Sequence, residues 1–277
     1  MGMIQGQLAP TILALGLASV AANAAGAPVA VRGPDDEEAV RTARWVELQH
    51  ALFAGRTLED GSSWIEIQAP ERALDAALVP VNLTLKSDRA IKGVYLVIDD
   101  NPGPLAGHFT FGPLGDARSL KLRVRINAYT YIHAIAETRD GRLFAAARFV
   151  KAAGGCSAPS GADERQAVQD LGHIKLRLPQ QFAAGRPEEA QLMIRHPNFN
   201  GMQMDQMTHL YTPPMFIRTI DVTYNGIAVV HLDSDISLSA DPVISFEFTP
   251  PDKGQMTVLV RDTKDQSFGQ SFDVPGT

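Results

Sequence analysis

Phe216-Ile-Arg-Thr-Ile-Asp-Val-Thr-Tyr-Asn-Gly-Ile-Ala-Val-Val-His-Leu232 decides the fold class. Two runs rich in apolar and β-branched residues flank Asn225-Gly226, the dipeptide that a type I′ turn favours, so the stretch predicts a β-hairpin. Its neighbours read the same way. Ile244, Phe246 and Phe248 alternate with Ser245 and Glu247, and Met256, Val258 and Val260 repeat the period of two. Upstream, Ile174, Leu176 and Leu178 share one face of a strand that begins at His173.

The first half follows the same rule after a different start. Pro34-Asp35-Asp36 predicts a helix start, since proline fits the first turn and acids complement the dipole. Val40, Ala43, Trp45, Val46, Leu48, Leu52 and Phe53 recur at helical spacing, and Gly55 is the expected stop. Strands follow at Val79 to Leu85, Ile91 to Ile98 and Leu120 to Ile126, the last with Lys121, Arg123 and Arg125 on its polar face. Asn101-Pro102-Gly103-Pro104 breaks the chain, and Asp140-Gly141 predicts a second type I′ hairpin whose outgoing strand runs from Arg142 to Lys151. Many short strands with regular turns predict a mainly β protein of two immunoglobulin-like β-sandwich domains, with an N-terminal helix packed on the first and a hinge between them.

Composition narrows the function classes. Hydrophobic residues make up 45% of 277 and charged residues 20%, a globular balance. The net charge is −6 and no lysine- or arginine-rich block occurs, which excludes the basic surface that nucleic acid requires. No charge precedes Arg32, Leu8 to Val20 is almost wholly apolar, and Ala22-Asn23-Ala24 supplies a small-residue cleavage pattern. Residues 1–24 therefore predict a secretory signal peptide, although the usual positive n-region is missing from Met1 to Gln7. The apolar run is too short to span a bilayer, so no membrane span is expected in the mature chain.

Cys156 is the only cysteine. In an exported chain it is buried and inert, paired with another molecule, or chemically used. Its surroundings are Val150-Lys-Ala-Ala-Gly-Gly-Cys156-Ser-Ala-Pro-Ser-Gly161, with no leucine, isoleucine or phenylalanine between Lys151 and Leu171 to cover it. The expectation is an exposed thiol on a glycine-rich loop, Gly154 and Gly155 giving mobility. An incidental linker cysteine explains the same pattern. Only Lys151 is a nearby base, and the partners of a cysteine protease or a thioredoxin-like enzyme are missing.

The segment from Arg142 to Gly154-Gly155-Cys156 resembles the carboxyl-terminal end of SoxY, whose chain closes on a Gly-Gly-Cys-Gly-Gly arm. The second half resembles SoxZ through Leu176-Arg-Leu-Pro179, Ile194-Arg-His-Pro197 with Gly201, Phe216-Ile217, Asn225-Gly226, Ser239-Ala-Asp-Pro242, Ile244-Ser-Phe246, Asp262 and Phe268-Gly269. The whole looks like a fused SoxYZ-like sulfur carrier of the type associated with quinoprotein dehydrogenases. That resemblance implies a SoxY-like sandwich over residues 25–153, a cysteine-bearing linker over 154–170 and a SoxZ-like sandwich over 171–277. It further implies a periplasmic location, a covalent sulfur adduct on Cys156 with no other cofactor, and no catalysis by the chain itself. The implied partners are a c-type cytochrome and other sulfur-oxidation or quinoprotein dehydrogenase components. Two departures stand out. Here Ser157-Ala158-Pro159 follow the cysteine and the chain continues, so the arm is a loop tethered at both ends. The His-Pro motif runs on as Asn198-Phe199-Asn200-Gly201 in place of the usual Met-Glu-Thr-Gly.

Other constellations are weaker. Met202, Met204, Met207 and His209 combine thioethers and imidazole, which suit copper(I), but methionines also fill irregular interfaces, and no metal is expected. His50, His108, His133, His173 and His231 are scattered without ligand spacing, Asp99-Asp100 precedes a turn, and neither a phosphate-binding loop nor a Gly-x-Ser-x-Gly elbow occurs. The competing account is a non-covalent docking module for a periplasmic quinoprotein dehydrogenase system.

Overall fold

The computed structural model describes residue 2 and residues 34–158, 169–179, 184–205 and 208–274. Apart from Gly2, the expected signal peptide lies outside the described residues, as do Met207 and residues 159–168 of the expected linker. The one helix among the described residues, α1 (Pro34–Phe53), ends where the sequence predicts, with Ala54 and Gly55 both at positive φ (49° and 76°). No described helix is long and apolar enough to cross a membrane.

Among the described residues fifteen strands follow. The first half supplies β1 (Leu58–Asp60), β2 (Ile65–Gln68), β3 (Val79–Leu85), β4 (Ile91–Ile98), β5 (Leu105–Phe111), β6 (Gly115–Val124), β7 (Thr130–Thr138) and β8 (Leu143–Val150). The second half supplies β9 (Ile174–Arg177), β10 (Glu188–Ile194), β11 (Ile217–Tyr224), β12 (Ile227–Ser234), β13 (Val243–Phe248), β14 (Gly254–Asp262) and β15 (Ser267–Val274). The strands form a nine-stranded sheet, β1-β8-β7-β4-β5-β12-β11-β14-β15, facing a six-stranded sheet, β2-β3-β6-β13-β10-β9. Each half is thus an immunoglobulin-like sandwich, the second with four strands against three.

The sandwiches do not stand apart across a hinge. Both sheets run through both halves, because β5 pairs antiparallel with β12 (Phe109 opposite Leu232) and β6 with β13 (Leu120 opposite Phe246). The four side chains just named belong to one apolar core that extends from Trp64 to Val274. Pairing these four edge strands two by two removes four open strand templates and buries their apolar faces together, which a flexible tether does not do.

Burial follows the sequence pattern where one face meets the core. Val79, Val81, Leu83 and Leu85 of β3 are buried while the intervening residues are not. On β7 the alternation disappears, because α1 covers the outer face of the sheet. Leu48 and Phe53 of α1 pack with Trp45 and Leu52 on Val97, Ile135 and Leu143, while Ile132, Ala134 and Ala136 face the main core. The two hairpin turns differ. Asn225 and Gly226 are both at positive φ (48° and 80°), as type I′ requires. At Asp140-Gly141 only the glycine is (85°), and Thr138 N–H bonds to Arg142 O while Gly141 N–H bonds to Thr138 O. That is a three-residue loop, not the expected two-residue turn.

Candidate functional site: a cysteine berth at the seam

After β8 the chain continues beside residues 71–73. Lys151 N–H bonds to Glu71 O, its carbonyl accepts from Ala73 N–H, and its ammonium pairs with Glu71 at 2.8 Å. The expected basic neighbour of the cysteine is therefore engaged elsewhere. Gly154 turns the chain at φ 78°, and the N–H groups of Gly154 and Gly155 donate to Asn127 O and Ile126 O, both at 2.9 Å. Cys156 comes next in a turn closed by Ser157 N–H to Gly154 O.

Here the expectation of an exposed thiol fails. Cys156 has 0% of its surface exposed. Its cover comes from residues distant in sequence, which is why the local absence of large apolar residues misled. In this position Gly155 is needed for closeness. A Cβ there would lie 2.0 Å from Ala76 O, and that carbonyl is itself fixed by Ile126 N–H at 2.8 Å.

The floor of the berth is the segment after β6. Asn101, from the stretch that reads as a mere chain break, donates to Arg125 O and Ser237 Oγ and accepts from Asn127 N–H. Arg125, expected on a polar strand face, is 3% exposed and lies under the cysteine turn. Its guanidinium makes only long contacts, at 3.5 Å to Gly155 O, 3.5 Å to Pro197 O and 3.4 Å to Asn198 O, and Nε has no partner. Sequence reasoning missed this residue. The only available signal was its place in an alternating strand, and that signal pointed outward.

The second half supplies the wall. Asn200 Nδ2 donates to Cys156 O at 2.7 Å, and Gln203 Oε1 accepts from Asn200 N–H. Asn198 Nδ2 donates to Ser239 O, and Asn198 Oδ1 accepts from Ile217 N–H. His196, wholly buried, pins the start of this loop. Its Nδ1 accepts from Asn198 N–H, so the neutral ring carries its proton on Nε2, 3.5 Å from Asp262 Oδ2. Burial holds His196 below the usual imidazole range, against the opposing pull of Asp262. Thus the His196-Pro-Asn-Phe-Asn200 stretch, whose departure from the SoxZ pattern is noted above, builds the wall against which the SoxY-like half rests its cysteine.

Electrostatics set the chemistry. Burial pushes the Cys156 thiol up to about 11, and Arg125 offsets that only in part. Burial likewise lowers Arg125, with Cys156 the first charge that supports it. In its berth the sulfur is therefore a protonated, unreactive thiol at neutral pH, since the thiolate is the nucleophile.

The other sequence candidates fall elsewhere. Met202 is half-buried, Met204 and His209 are exposed on a small hairpin where Met204 bridges Tyr211, and Met207 lies outside the described residues. Among the described residues no group of three His, Cys, Asp or Glu side chains could hold a metal ion. His133 stacks on Trp45 and bonds to Asp99 at 3.1 Å, His108 stacks on Tyr95, and His231 sits between Asp221 and Asp233. His50 and His173 join no such cluster in the berth.

Two immunoglobulin-like sandwiches fused edge to edge, with a single thiol held at their seam, define the class of protein. In comparison with protein families, residues 49–156 match the sulfur oxidation protein SoxY, and residues 175–273 match the sulphur oxidation protein SoxZ. The chain is therefore a SoxYZ-like protein of sulfur oxidation, with both domains in tandem on one polypeptide. The SoxY match ends on Cys156 itself. A solved structure of the sulfur carrier protein SoxY from Chlorobium limicola f thiosulfatophilum aligns at 25% identity over 42% of this chain and 97% of that one, with a TM-score of 0.36. A beta-glycosidase from Bacteroides vulgatus aligns at 12% identity over 76% of this chain and 24% of that one, with a TM-score of 0.23. At such TM-scores neither superposition bears on function. Curated protein sequences give no significant match.

Proposed function

We propose that this chain is a periplasmic sulfur carrier that holds sulfur intermediates covalently on Cys156. The observation that carries the reading is that the SoxY match closes on the only thiol of the chain. Residues 25–153 and 171–277 then act as the carrier and supporting sandwiches, and 154–170 as the arm between them. Loading with a donor such as thiosulfate forms a sulfur–sulfur bond at Cys156 and releases one proton and two electrons. A c-type cytochrome partner takes those electrons, one at a time. Other sulfur-oxidation or quinoprotein dehydrogenase components then act on the adduct, and the carrier itself performs no catalysis.

The berth gives this cycle a physical form. Docked, the thiol is protonated and shielded. Released into water it returns toward the ordinary cysteine value of 9.0, where a useful fraction is thiolate at mildly alkaline pH. Release breaks a few polar contacts to the loop and leaves the sheets intact.

Intact-mass measurement of protein purified from its native host without reductant, followed by peptide mapping, tests the reading. The expected result is a reductant-sensitive adduct of sulfur or sulfonate mass on Cys156. A free thiol under every growth condition overturns it. The burial of the thiol favours one second reading, a docking module without covalent chemistry. Under that account Cys156→Ser leaves sulfur-dependent growth unchanged, and under the carrier account it abolishes it.

A further inference from the structure

Arg125 is a buried cation without an anion. Its exposure is 3%, Nε has no partner, and its remaining contacts are three carbonyls at 3.4–3.5 Å. Burying a guanidinium with unmet donors is unfavourable, and proteins retain such a group where something else completes it. The charges that act on it are the Cys156 sulfur first and Asp75 second. A second orphan donor belongs to the same wall. Gln203 is 2% exposed and its Nε2 has no partner, while its Oε1 holds the backbone of Asn200, whose side chain holds Cys156 O. Two unmet donors and one unneutralised positive charge thus belong to the berth of a residue that is itself neutral when docked.

We propose that the berth is an anion-reading site in which Arg125 is the counter-ion for a sulfur oxyanion carried on Cys156, with Gln203 Nε2 as a second donor. The inference rests on the carrier reading and adds what the berth recognises. A terminal sulfonate on the cysteine presents three acceptor oxygens and one negative charge, which match the fork of a guanidinium. The charge of the adduct therefore sets where the arm rests. A loaded, anionic arm is held and shielded, whereas an uncharged group of similar size gains nothing from Arg125. Because the wall belongs to the SoxZ-like half and the cysteine to the SoxY-like half, recognition of the cargo is shared across the seam.

The test uses the full chain and an adduct made in vitro. At about pH 9, where a free cysteine ionises, the undocked thiolate attacks a central sulfur of tetrathionate. This forms a Cys156 S-thiosulfonate and releases thiosulfate, with no other oxidant needed. A neutral comparator is made with iodoacetamide. Hydrogen exchange at the Gly154 and Gly155 amides, which bond to Asn127 O and Ile126 O, reports docking. We expect exchange at least about tenfold slower in the thiosulfonate form than in the carbamidomethyl form, the scale of a charge-assisted hydrogen bond. Arg125→Gln should erase the difference and Arg125→Lys should keep part of it. Equal exchange in the two forms of the wild-type protein, or faster exchange in the thiosulfonate form, overturns the proposal even if the Arg125 variants fail to fold. Absence of an adduct in the native host bears on the carrier reading alone, because here the adduct is supplied chemically.

Discussion

The two halves of this protein meet twice, and the two joints are built from different materials. Along the sheets, β5–β12 and β6–β13 are regular ladders over a shared core, with Phe109, Leu120, Leu232 and Phe246 all buried. At the cysteine berth the contact is polar. The cysteine turn itself has one short bond to the second half, Asn200 to Cys156 O at 2.7 Å, beside the long contacts of Arg125, while the floor beneath it is held by Asn101 to Ser237 Oγ at 2.8 Å. Apolar burial scales with area and has no substitute in water, whereas a hydrogen bond given up at the surface is largely replaced by one to solvent. The first joint is therefore permanent and the second releasable. A cysteine tethered at both ends can leave its berth without parting the sandwiches.

That contrast can be broken by experiment. The largest effect belongs to the sheet joint: Phe109→Ala should cost about 3–5 kcal/mol of stability in urea unfolding, as for other buried aromatics. The loss should come as one transition that involves both halves. Two separate transitions would show that the shared core does not couple them. At the berth, Gly155→Ala places a methyl group against a fixed carbonyl and should expel the turn. Iodoacetamide at pH 8 should then modify Cys156 about a hundredfold faster than in the wild type, the ratio set by a thiol falling from about 11 to 9.0. An unchanged rate would mean that the thiol does not live in the berth.

Acidity sharpens the same point with a smaller effect. A thiol raised on docking contributes stability below the unfolded value of 9.0 and loses it as pH rises toward about 11. Between pH 9 and 10 the wild type should lose about 1 kcal/mol relative to Cys156→Ser, measured by denaturation at each pH. If the two proteins track each other across that range, the burial of the thiol is not a stable feature. The smallest effect expected is that of Asn200→Ala, which removes the short bond to Cys156 O. It should speed alkylation about fivefold, the worth of one ordinary hydrogen bond, and leave urea stability nearly unaltered. An effect as large as that of Gly155→Ala would show the berth to hang on this bond alone.

Local signals were read well and long-range ones poorly. Pro34 and Gly55 bracket α1, the alternation of β3 names its buried face, and Asn225-Gly226 marks a true type I′ hairpin. In each case the cause lies within a few residues. The strand β5, by contrast, reads weakly as Leu105-Ala-Gly-His-Phe-Thr-Phe111 after a proline- and glycine-rich break, yet it forms the joint between the halves. Gly107 is acceptable there because Leu232 of the other half fills the space, with its Cδ1 2.9 Å from where a Cβ would stand.

The site divides along the same line. That Cys156 is the sole thiol, that it follows two glycines, and that the two halves carry SoxY- and SoxZ-like motifs are properties of the sequence alone, because each is a matter of residue identity and short spacing. Only the tertiary structure decided that the thiol is covered, that Gly155 is there for closeness, and that Arg125 turns inward to meet it. Those facts arise where Ala76, Arg125, Ile126 and Asn200 converge on one turn from three separate stretches of chain. Desolvation and charge act through space, and the distance along the chain carries no record of them.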